Sequence, residues 1–235
     1  MIKKNLIIII PARSGSKGIK NKNFKKLNGK PLVSYSFEIA KKIKEKDKII
    51  FCSTDSKNIK KLSIKHNVDL PFLRPKNISK NESRDLEYVN HTLAKFYDLG
   101  FKFKYGLILR PTSPLRDANY LNNAYEIFKK NKHFDSMRAI IEVKKTPYKM
   151  WFKSNRNIKP ILKSKIKEHY NAPRQILPKV YWQTGNFEFF KIKFNFKLKS
   201  ISGKKIYGFE INKKYSLDID NLNDIKKAEK FLKLL

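Results

Sequence analysis

The first eighteen residues favour one class of fold. Residues 6–10 are five consecutive apolar side chains, a leucine followed by four isoleucines. A continuous β-branched run is typical of a central strand in a parallel sheet, because helices cover both of its faces. The loop at 11–18, PARSGSKG, follows at once. The start of the chain therefore predicts a buried strand that opens into a glycine-marked loop.

Strands and helices then alternate along the chain. This alternation indicates βαβ units and a mostly parallel, doubly wound α/β sheet with helices on both faces. Asp55 or Ser56 is placed to cap the helix that begins near Ile59. The length of 235 residues suits one large domain or two small ones. Strands are predicted at 48–53, 105–109 and 136–143, and helices at 32–44, 59–66, 85–97 and 120–131.

The regular pattern breaks between Thr146 and about Gln183. Prolines stand at 147, 160, 173 and 178, between short β-like runs. We interpret this stretch as an excursion from the sheet that serves as a dimerisation arm. The pattern returns with strands predicted at 187–190, 205–210 and 217–220. A final helix carries Ile225, Ala228, Leu232 and Leu235 on one face.

Charge supports two interpretations. The chain has 54 Lys and Arg against 20 Asp and Glu, a formal net charge of +34, which is typical of proteins that bind nucleic acid. Only eight of these cations are arginines, and the lysines recur along the whole chain instead of forming one basic arm. Ile, Asn, Phe and Tyr are abundant as well, and all have AT-rich codons, so we favour genomic base composition as the cause of the excess. A hydrophobic content of 40% excludes a disordered polymer.

Cysteine usage and hydropathy limit the compartment and the cofactors. Cys52 is the only cysteine, so no disulfide forms within the chain, and no Cys/His cluster offers a zinc site. A chain with one cysteine and no internal disulfide fits the reducing cytoplasm. The run at 6–10 is too short to cross a membrane.

The glycine-marked loop is the first candidate for ligand binding, because open α/β sheets bind ligands beyond the carboxyl ends of their strands. Its small residues let backbone N–H groups approach an anion, and Arg13 and Lys17 would neutralise it. The loop matches neither GxxxxGK[ST] nor GxGxxG, which disfavours a Walker ATPase and a dinucleotide-binding dehydrogenase. An ordinary flexible turn remains the alternative.

Asp218 and Asp220 form the second candidate. On a strand, residues two apart share a face at a spacing of about 6.6 Å, so both carboxylates could converge on one hard cation while Ile219 points into the core. Mg²⁺ commonly takes one or two carboxylates and completes its shell with water and substrate phosphates. Two surface acids that open the cap of the last helix are the alternative.

Together these motifs resemble the acylneuraminate cytidylyltransferases, the CMP-sialic acid synthetase family. The resemblance covers nearly the whole chain, and the motifs occur in the family's order. They are IPARSGSKGI at 10–19 with KN at 22–23, GKPL at 29–32, STDS at 53–56, PFLRP at 71–75, RPTSPLR at 110–116, PYK at 147–149, PRQ at 173–175, LPKVY at 177–181 and DID at 218–220.

The resemblance implies a single cytidylyltransferase domain over 1–235, with a nucleotide-diphospho-sugar transferase-like, Rossmann-like fold and a dimerisation excursion at 146–182. It implies transfer of CMP from CTP to an acidic nine-carbon 2-keto sugar with Mg²⁺, in a cytoplasmic homodimer that uses neither a membrane nor a specific nucleic acid. The implied nucleotide-binding residues are Ala12, Arg13, Ser14, Gly15, Lys17, Asn23, Arg74 and Ser83, with the last two at the cytosine. Arg13, Lys22 and Asp220 are the implied catalytic residues, Asp218 and Asp220 the metal ligands, and Arg110, Thr112, Lys149, Arg174 and Gln183 the sugar-binding residues.

Two departures from the family pattern fall at positions that lie toward the sugar in the family. Arg110 stands where characterised sialic acid members have Gln, and Thr184 stands where many have Asn. The nucleotide end is therefore intact and the acceptor end altered, which leaves sialic, legionaminic, pseudaminic and other acid sugars open. A nucleotidyltransferase for another base or sugar, and a basic nucleic-acid-binding protein on the same scaffold, are the alternative functions.

Overall fold

The apolar run near the start of the chain forms the centre of the first strand, β1 (Ile2–Pro11), in which residues 6–10 are fully buried. The structure is a computed structural model that describes residues 1–15, 18–68, 71–193 and 197–233. The other strands are β2 (Lys26–Leu27), β3 (Lys30–Pro31), β4 (Lys48–Ser53), β5 (Phe101–Ile108), β6 (Ser136–Glu142), β7 (Trp151–Ser154), β8 (Asn157–Pro160), β9 (Tyr181–Lys191) and β10 (Ile206–Glu210). The α-helices are α1 (Leu32–Lys41), α2 (Lys57–Lys65), α3 (Asp85–Asp98), α4 (Ala118–Lys130) and α5 (Leu222–Leu232).

Six strands form the principal sheet in the order β10-β6-β9-β5-β1-β4. β1 is parallel to β4 and β5, and β6 is parallel to β10, whereas β9 runs antiparallel to both of its neighbours. The predicted mostly parallel α/β sheet is confirmed. Because β1, β4 and β5 are parallel neighbours, the loops that follow them meet at one edge of the sheet.

Two elements lie where short sequence patterns predict them, namely the second strand of the sheet and the N-terminus of α2. The second strand spans Lys48–Ser53, as the apolar pattern indicates. Ser56 caps α2, and its hydroxyl accepts a hydrogen bond from the amide of Ile59 at 3.3 Å. These agreements follow from side-chain patterns that act within a few residues.

The segment 217–220 is not a strand of the sheet, so that prediction is wrong. It runs from a 3₁₀ turn at Lys213–Tyr215 to Asn221, the N-cap of α5. The amide of Ile219 donates to the carbonyl of Thr112 at 2.7 Å, which ties the segment to the loop after β5. It therefore lies between two local structures without a neighbouring strand to pair with.

A second apolar cluster fixes this segment against the start of the chain. Ile219 is fully buried there, beside residues from the first loop and from α5. Burial of this one side chain brings the acidic residues on either side of it to the glycine-marked loop. The cluster consists of Ile19, Leu27, Leu32, Ile219, Ile225 and Ala228.

The excursion from the sheet contains the separate hairpin of β7 and β8. It ends at Val180, because Tyr181 and Trp182 already belong to β9 and pair with β6. The predicted boundary at 182 is therefore two residues too late. Within the described ranges, none of the helices combines the length and the apolar character needed to cross a bilayer.

Candidate active site

The loop after β1 is tethered to the end of β4. The buried Ala12 donates its amide to the carbonyl of Ser53 at 2.9 Å. Ser14 donates its amide and its hydroxyl to the two oxygens of Asp55, at 2.7 and 2.5 Å. Asp55 therefore positions the loop, a role that neither the STDS motif nor its prediction as a helix cap indicated. Lys17 lies outside the described residues.

A cleft, the main cleft, opens beside this loop. It lies at the carboxyl ends of β1, β4 and β5, the edge at which the topology predicts ligands. Among the predicted residues, Arg13, Gly15, Lys22, Asn23, Arg74, Ser83, Arg110 and Thr112 line it together. Its full lining is Pro11, Arg13, Gly15, Lys22, Asn23, Arg74, Lys80, Ser83, Asp85, Tyr88, Arg110, Pro111 and Thr112.

Lys22 connects the loop to the acidic segment before α5. Its ammonium nitrogen donates to the carbonyl of Ile219 at 2.7 Å and to Oδ1 of Asp220 at 3.1 Å. Gly18 allows this approach, because a β-carbon there would overlap the carbonyl oxygen of Asp220. Asn23 donates its side-chain amide to the carbonyl of Arg13 at 2.9 Å, which fixes the backbone beside that cation.

The two acids of the DID motif are exposed, and Asp220 contacts Lys22, which lines the main cleft. Oδ1 of Asp218 accepts a hydrogen bond from the hydroxyl of the buried Ser113 at 3.3 Å. Gly185 leaves room for Asp218, since a β-carbon there would lie 2.7 Å from Oγ of Ser113 and 3.2 Å from Oδ2 of Asp218. In the part of the chain that the structure describes, three or more His, Cys, Asp or Glu side chains never cluster in a way that could hold a metal. A cation here would depend on two carboxylates and on ligands from substrate.

Arg74 lies deep in the wall of the main cleft. It is 5% exposed, and its Nε and one terminal nitrogen donate to the hydroxyl and the carbonyl of Ser53 at 3.0 and 2.7 Å. The guanidinium carbon lies 4.6 Å from the centre of the Tyr88 ring. Burial lowers the pKa of Arg74 from its ordinary value, and burial raises that of Tyr88. Ser83 lines the cleft nearby, and its hydroxyl accepts the amide of Lys80 at 3.1 Å.

Arg110, the first departure from the family pattern, is paired with carboxylates of its own chain. Its Nη2 forms an ion pair with Asp85 and a second with the buried Glu188 at 3.4 Å. Burial opposes its charge, but the acidic groups of Tyr88, Asp85 and Glu188 outweigh burial and raise the pKa of Arg110. The change from a neutral glutamine to arginine is thus compensated by carboxylates within the same chain.

Arg116 holds the loop after β5 and was missed by sequence reasoning. It donates from Nε to the carbonyl of Asn186 and from Nη2 to that of Arg110, both at 2.7 Å. Burial lowers its pKa to about 10. Asn186 is fully buried and bonds the carbonyls of Leu115 and Tyr215 at 3.0 and 2.8 Å. These contacts lock Arg110 and Thr112 beside the segment before α5.

The remaining predicted sugar-binding residues, Gln183, Lys149 and Arg174, do not line the main cleft. Gln183 is exposed on β9, beside Arg138 and Glu188 in a depression that adjoins the main cleft. The altered residue Thr184 is buried and bonds the carbonyl of Ala139 at 3.2 Å, so the expectation that it faces the sugar is wrong. Lys149 and Arg174 lie in the excursion and do not line the main cleft of their own chain.

Comparisons with known proteins identify the family of the chain. A family model described as cytidylyltransferase matches residues 7–235. The pseudaminic acid cytidylyltransferase of Campylobacter jejuni serotype O:23/36 is 30% identical over 226 residues, which is 96% of this chain and 95% of that protein. The post-translational flagellin modification protein B of Campylobacter coli is 27% identical over 230 residues, 97% of this chain and 95% of that protein.

The fold also occurs among solved structures. The structure of CMP:2-keto-3-deoxy-manno-octonic acid synthetase complexed with CTP has a TM-score of 0.70 to this chain at 12% identity, and the match covers 98% of this chain and 99% of that one. At this identity the likeness extends to the architecture of the sheet and its helices.

Proposed function

The chain belongs to the cytidylyltransferase family, whose members are nucleotidyltransferases, and from that premise we propose that it transfers CMP from CTP to an acidic nine-carbon 2-keto sugar and releases pyrophosphate. The acceptor would be of the sialic, legionaminic or pseudaminic type. One observation carries the proposal: Lys22 is held by Ile219 and Asp220 in a cleft that also contains Arg13 and Gly15.

The glycine-marked loop would hold the triphosphate. Displacement at the α-phosphorus needs little covalent help from a protein, and the negative charge that develops needs fixed cations. Arg13 and Lys22 supply such cations in the wall of the main cleft. Ala12, Ser14, Gly15 and Asn23 form or brace the loop beside them, and Lys17 belongs to the same proposal by its motif.

The base would lie toward Arg74 and Ser83. Both residues line the main cleft, and Arg74 is fixed by Ser53 and by the ring of Tyr88. A guanidinium held in this way presents its donors without a further loss of side-chain freedom.

Asp218 and Asp220 fit a magnesium ion by the chemistry of their donors, since both are exposed carboxylates on the segment that contacts Lys22 of the main cleft. A bound Mg²⁺ would neutralise phosphate charge and make a coordinated hydroxyl easier to deprotonate. Ser113 orients one oxygen of Asp218, and Lys22 orients Asp220. No separate strong base is then required of the chain.

The acceptor would approach from the side of Arg110, Thr112 and Gln183. Lys149 and Arg174 could contribute only from the excursion of a second copy, because they do not line their own cleft. The excursion carries exposed apolar side chains that suit such a partner, among them Phe152 at 64% exposure. We therefore propose a homodimer. A mass of two chains in light scattering would support it, and a single chain at micromolar concentration would contradict it.

The activity is tested by incubating the protein with CTP, Mg²⁺ and a panel of acid sugars, and by detecting CMP-sugars with mass spectrometry. The panel contains sialic, legionaminic and pseudaminic acids, with a neutral hexose as the control. We expect a CMP-sugar from at least one acid and none from the hexose. Failure with every acid, by protein shown to be folded, would overturn the proposal.

A further inference from the structure

Arg74 and Tyr88 form a stacked pair in the wall of the main cleft. The guanidinium carbon of Arg74 lies 4.6 Å from the centre of the Tyr88 ring, and both residues line the cleft. Arg74 is 5% exposed and Tyr88 is 3% exposed. The face of an aromatic ring attracts a cation, and the attraction is stronger where water is excluded. Burial therefore makes the ring a substantial partner of this cation.

The ring matters because Arg74 has no carboxylate partner. Its guanidinium forms no ion pair with a described residue, and its Nε and Nη2 donate to the hydroxyl and the carbonyl of Ser53 at 3.0 and 2.7 Å. A buried cation without a counter-charge is costly. Arg110 meets that cost through its ion pair with Asp85. In Arg74 the face of the Tyr88 ring takes the place of such a carboxylate.

The hydroxyl of Tyr88 adds nothing to this support. It is enclosed and has no hydrogen-bond partner of acceptable geometry among the described residues. A buried hydroxyl that stays unpaired lowers stability. The observed contact between Tyr88 and Arg74 is therefore made by the ring alone.

The backbone that carries the stacked pair is fixed by other contacts. The amide of Arg74 donates to the carbonyl of Thr54 at 2.7 Å. Two residues earlier, the ring of Phe72 packs against that of Phe96 on α3, with 5.4 Å between the ring centres. Tyr88 belongs to the same helix. The two partners of the stacked pair thus start from anchored positions.

One terminal nitrogen of Arg74 remains open to the cleft. Nη1 makes no hydrogen bond to a described residue, and it is not among the enclosed polar atoms that lack a partner. It carries two N–H donors. Because Ser53 and Tyr88 fix the guanidinium, these donors are held in one orientation.

Donors that cannot turn distinguish cytosine from uracil. O2 and N3 of cytosine both accept hydrogen bonds, whereas N3 of uracil carries a hydrogen and would face a donor. A site rejects the wrong ligand strongly when binding leaves its polar groups without partners. A guanidinium that is free to turn away would avoid that mismatch, so its rigidity decides how well the two bases are separated.

We propose that Tyr88 is a positioning residue for recognition of the base: its ring holds the guanidinium of Arg74 in the orientation in which Nη1 donates to cytosine. Tyr88 would thereby set the preference for CTP over UTP without touching the nucleotide. The inference rests on the proposed function and deepens it, because it adds a specificity-determining residue to the end of the cleft at which Arg74 and Ser83 would meet the base.

The test measures the Kd of CTP and of UTP by calorimetry, which requires no acceptor sugar. We expect Tyr88→Leu to raise the Kd of CTP about tenfold and to reduce the preference for CTP over UTP by a similar factor, because the stacked cation loses its ring. Tyr88→Phe keeps the ring, so both values should stay within about twofold of the wild type.

Tyr125→Leu is the matched control. Tyr125 is 2% exposed, has the ammonium of Lys129 over its ring at 4.5 Å, and does not line the main cleft. Its replacement should lower the melting temperature and leave the preference for CTP unchanged. If Tyr88→Leu does not fold, Tyr88→Met takes its place with the same expected results, because methionine fills irregular space in a core.

A double-mutant cycle tests whether Tyr88 acts through Arg74. In an Arg74→Gln background, Tyr88→Leu should have no further effect on the Kd of CTP. Additive effects of the two substitutions would overturn this inference, as would an unchanged preference in Tyr88→Leu. A Tyr88→Phe variant as impaired as Tyr88→Leu would overturn it as well, since the hydroxyl would then be the active group.

These measurements separate the inference from the proposed reaction. A wild type that binds CTP but yields no CMP-sugar would overturn the reaction, while the binding ratios still decide the role of Tyr88. A wild type that binds CTP and UTP equally well would overturn this inference and the proposed use of CTP together.

Discussion

The ammonium group of Lys22 donates a hydrogen bond to Oδ1 of Asp220 at 3.1 Å, although the two residues are 198 positions apart. The side chain of Lys22 is 12% exposed and that of Asp220 is 77% exposed. One contact thus joins the loop after the first strand to the segment before the last helix. It places a proposed catalytic cation beside a proposed metal ligand.

Removal of the Asp220 carboxylate should abolish turnover and leave the fold intact. We expect Asp220→Ala to lower kcat at least about 100-fold, or about 2.7 kcal/mol of barrier. The melting temperature should hardly change, because the side chain is exposed. Asp98→Ala, which removes an exposed acid at the end of α3, is the control and should keep wild-type activity. Near-normal turnover by Asp220→Ala would rule out a metal role for this residue.

A methyl group at Gly185 should disturb Asp218. Alanine there would place its β-carbon 2.7 Å from Oγ of Ser113 and 3.2 Å from Oδ2 of Asp218, so one of these groups must move. We expect Gly185→Ala to raise the Mg²⁺ concentration needed for half-maximal activity about tenfold, while the Kd of CTP without metal stays the same. Mn²⁺ binding followed by electron paramagnetic resonance gives a readout independent of turnover. An unaltered metal requirement would show that Asp218 need not occupy its observed position.

Neutralisation of Glu188 should destabilise the protein. The buried carboxylate of Glu188 forms ion pairs with Arg110 and Arg138. Glu188→Gln keeps the shape of the side chain but leaves Arg138 without a counter-charge. We expect a loss of about 3 kcal/mol in the free energy of unfolding, measured with denaturant. Glu142→Gln, which breaks the exposed pair with Lys179, should cost less than about 1 kcal/mol. Equal effects of the two substitutions would contradict the buried network.

Much of the fold followed from local patterns, whereas much of the site did not. The strand at Lys48–Ser53 and the cap at Ser56 depend on neighbouring side chains, and both were predicted. Arg110 acquires its partners from residues 25 and 78 positions away, which only the sheet topology brings together. No periodicity in the sequence carries that information.

The error at 217–220 has a similar origin. Alternating apolar and acidic residues are compatible with a strand, but a strand also needs a neighbour. The segment has instead the hydrogen bond from Ile219 to Thr112 and the burial of Ile219. The sequence therefore assigned the two acids to the wrong local structure, and their role as metal ligands stays a prediction.

The stability of the protein should fall at alkaline pH because the thiol of Cys52 is buried. Burial raises the pKa of its thiol to about 12, although the charge of Arg74 acts in the other direction. The unfolded thiol titrates near pH 8.5, so between about pH 9 and 12 only the unfolded chain loses this proton and stability falls. The wild type should lose more stability than Cys52→Ala between pH 8 and 10, by about 1 to 2 kcal/mol.

The same burial predicts slow chemistry at the thiol. A thiol reagent at pH 8 should modify Cys52 only at the rate of unfolding, and promptly in denaturant. Rapid modification of the native protein would contradict the packing of this core.

The preference for CTP over other nucleotides distinguishes a cytidylyltransferase from other nucleotidyltransferases. Pyrophosphate release should be measured with CTP, UTP, ATP and GTP in turn, at equal Mg²⁺ and with the best acid acceptor. We expect kcat/KM for CTP to be at least about 100-fold above that for each of the others, with release dependent on the acceptor. A clear preference for another nucleotide, or release that ignores the acceptor, would contradict the proposed function.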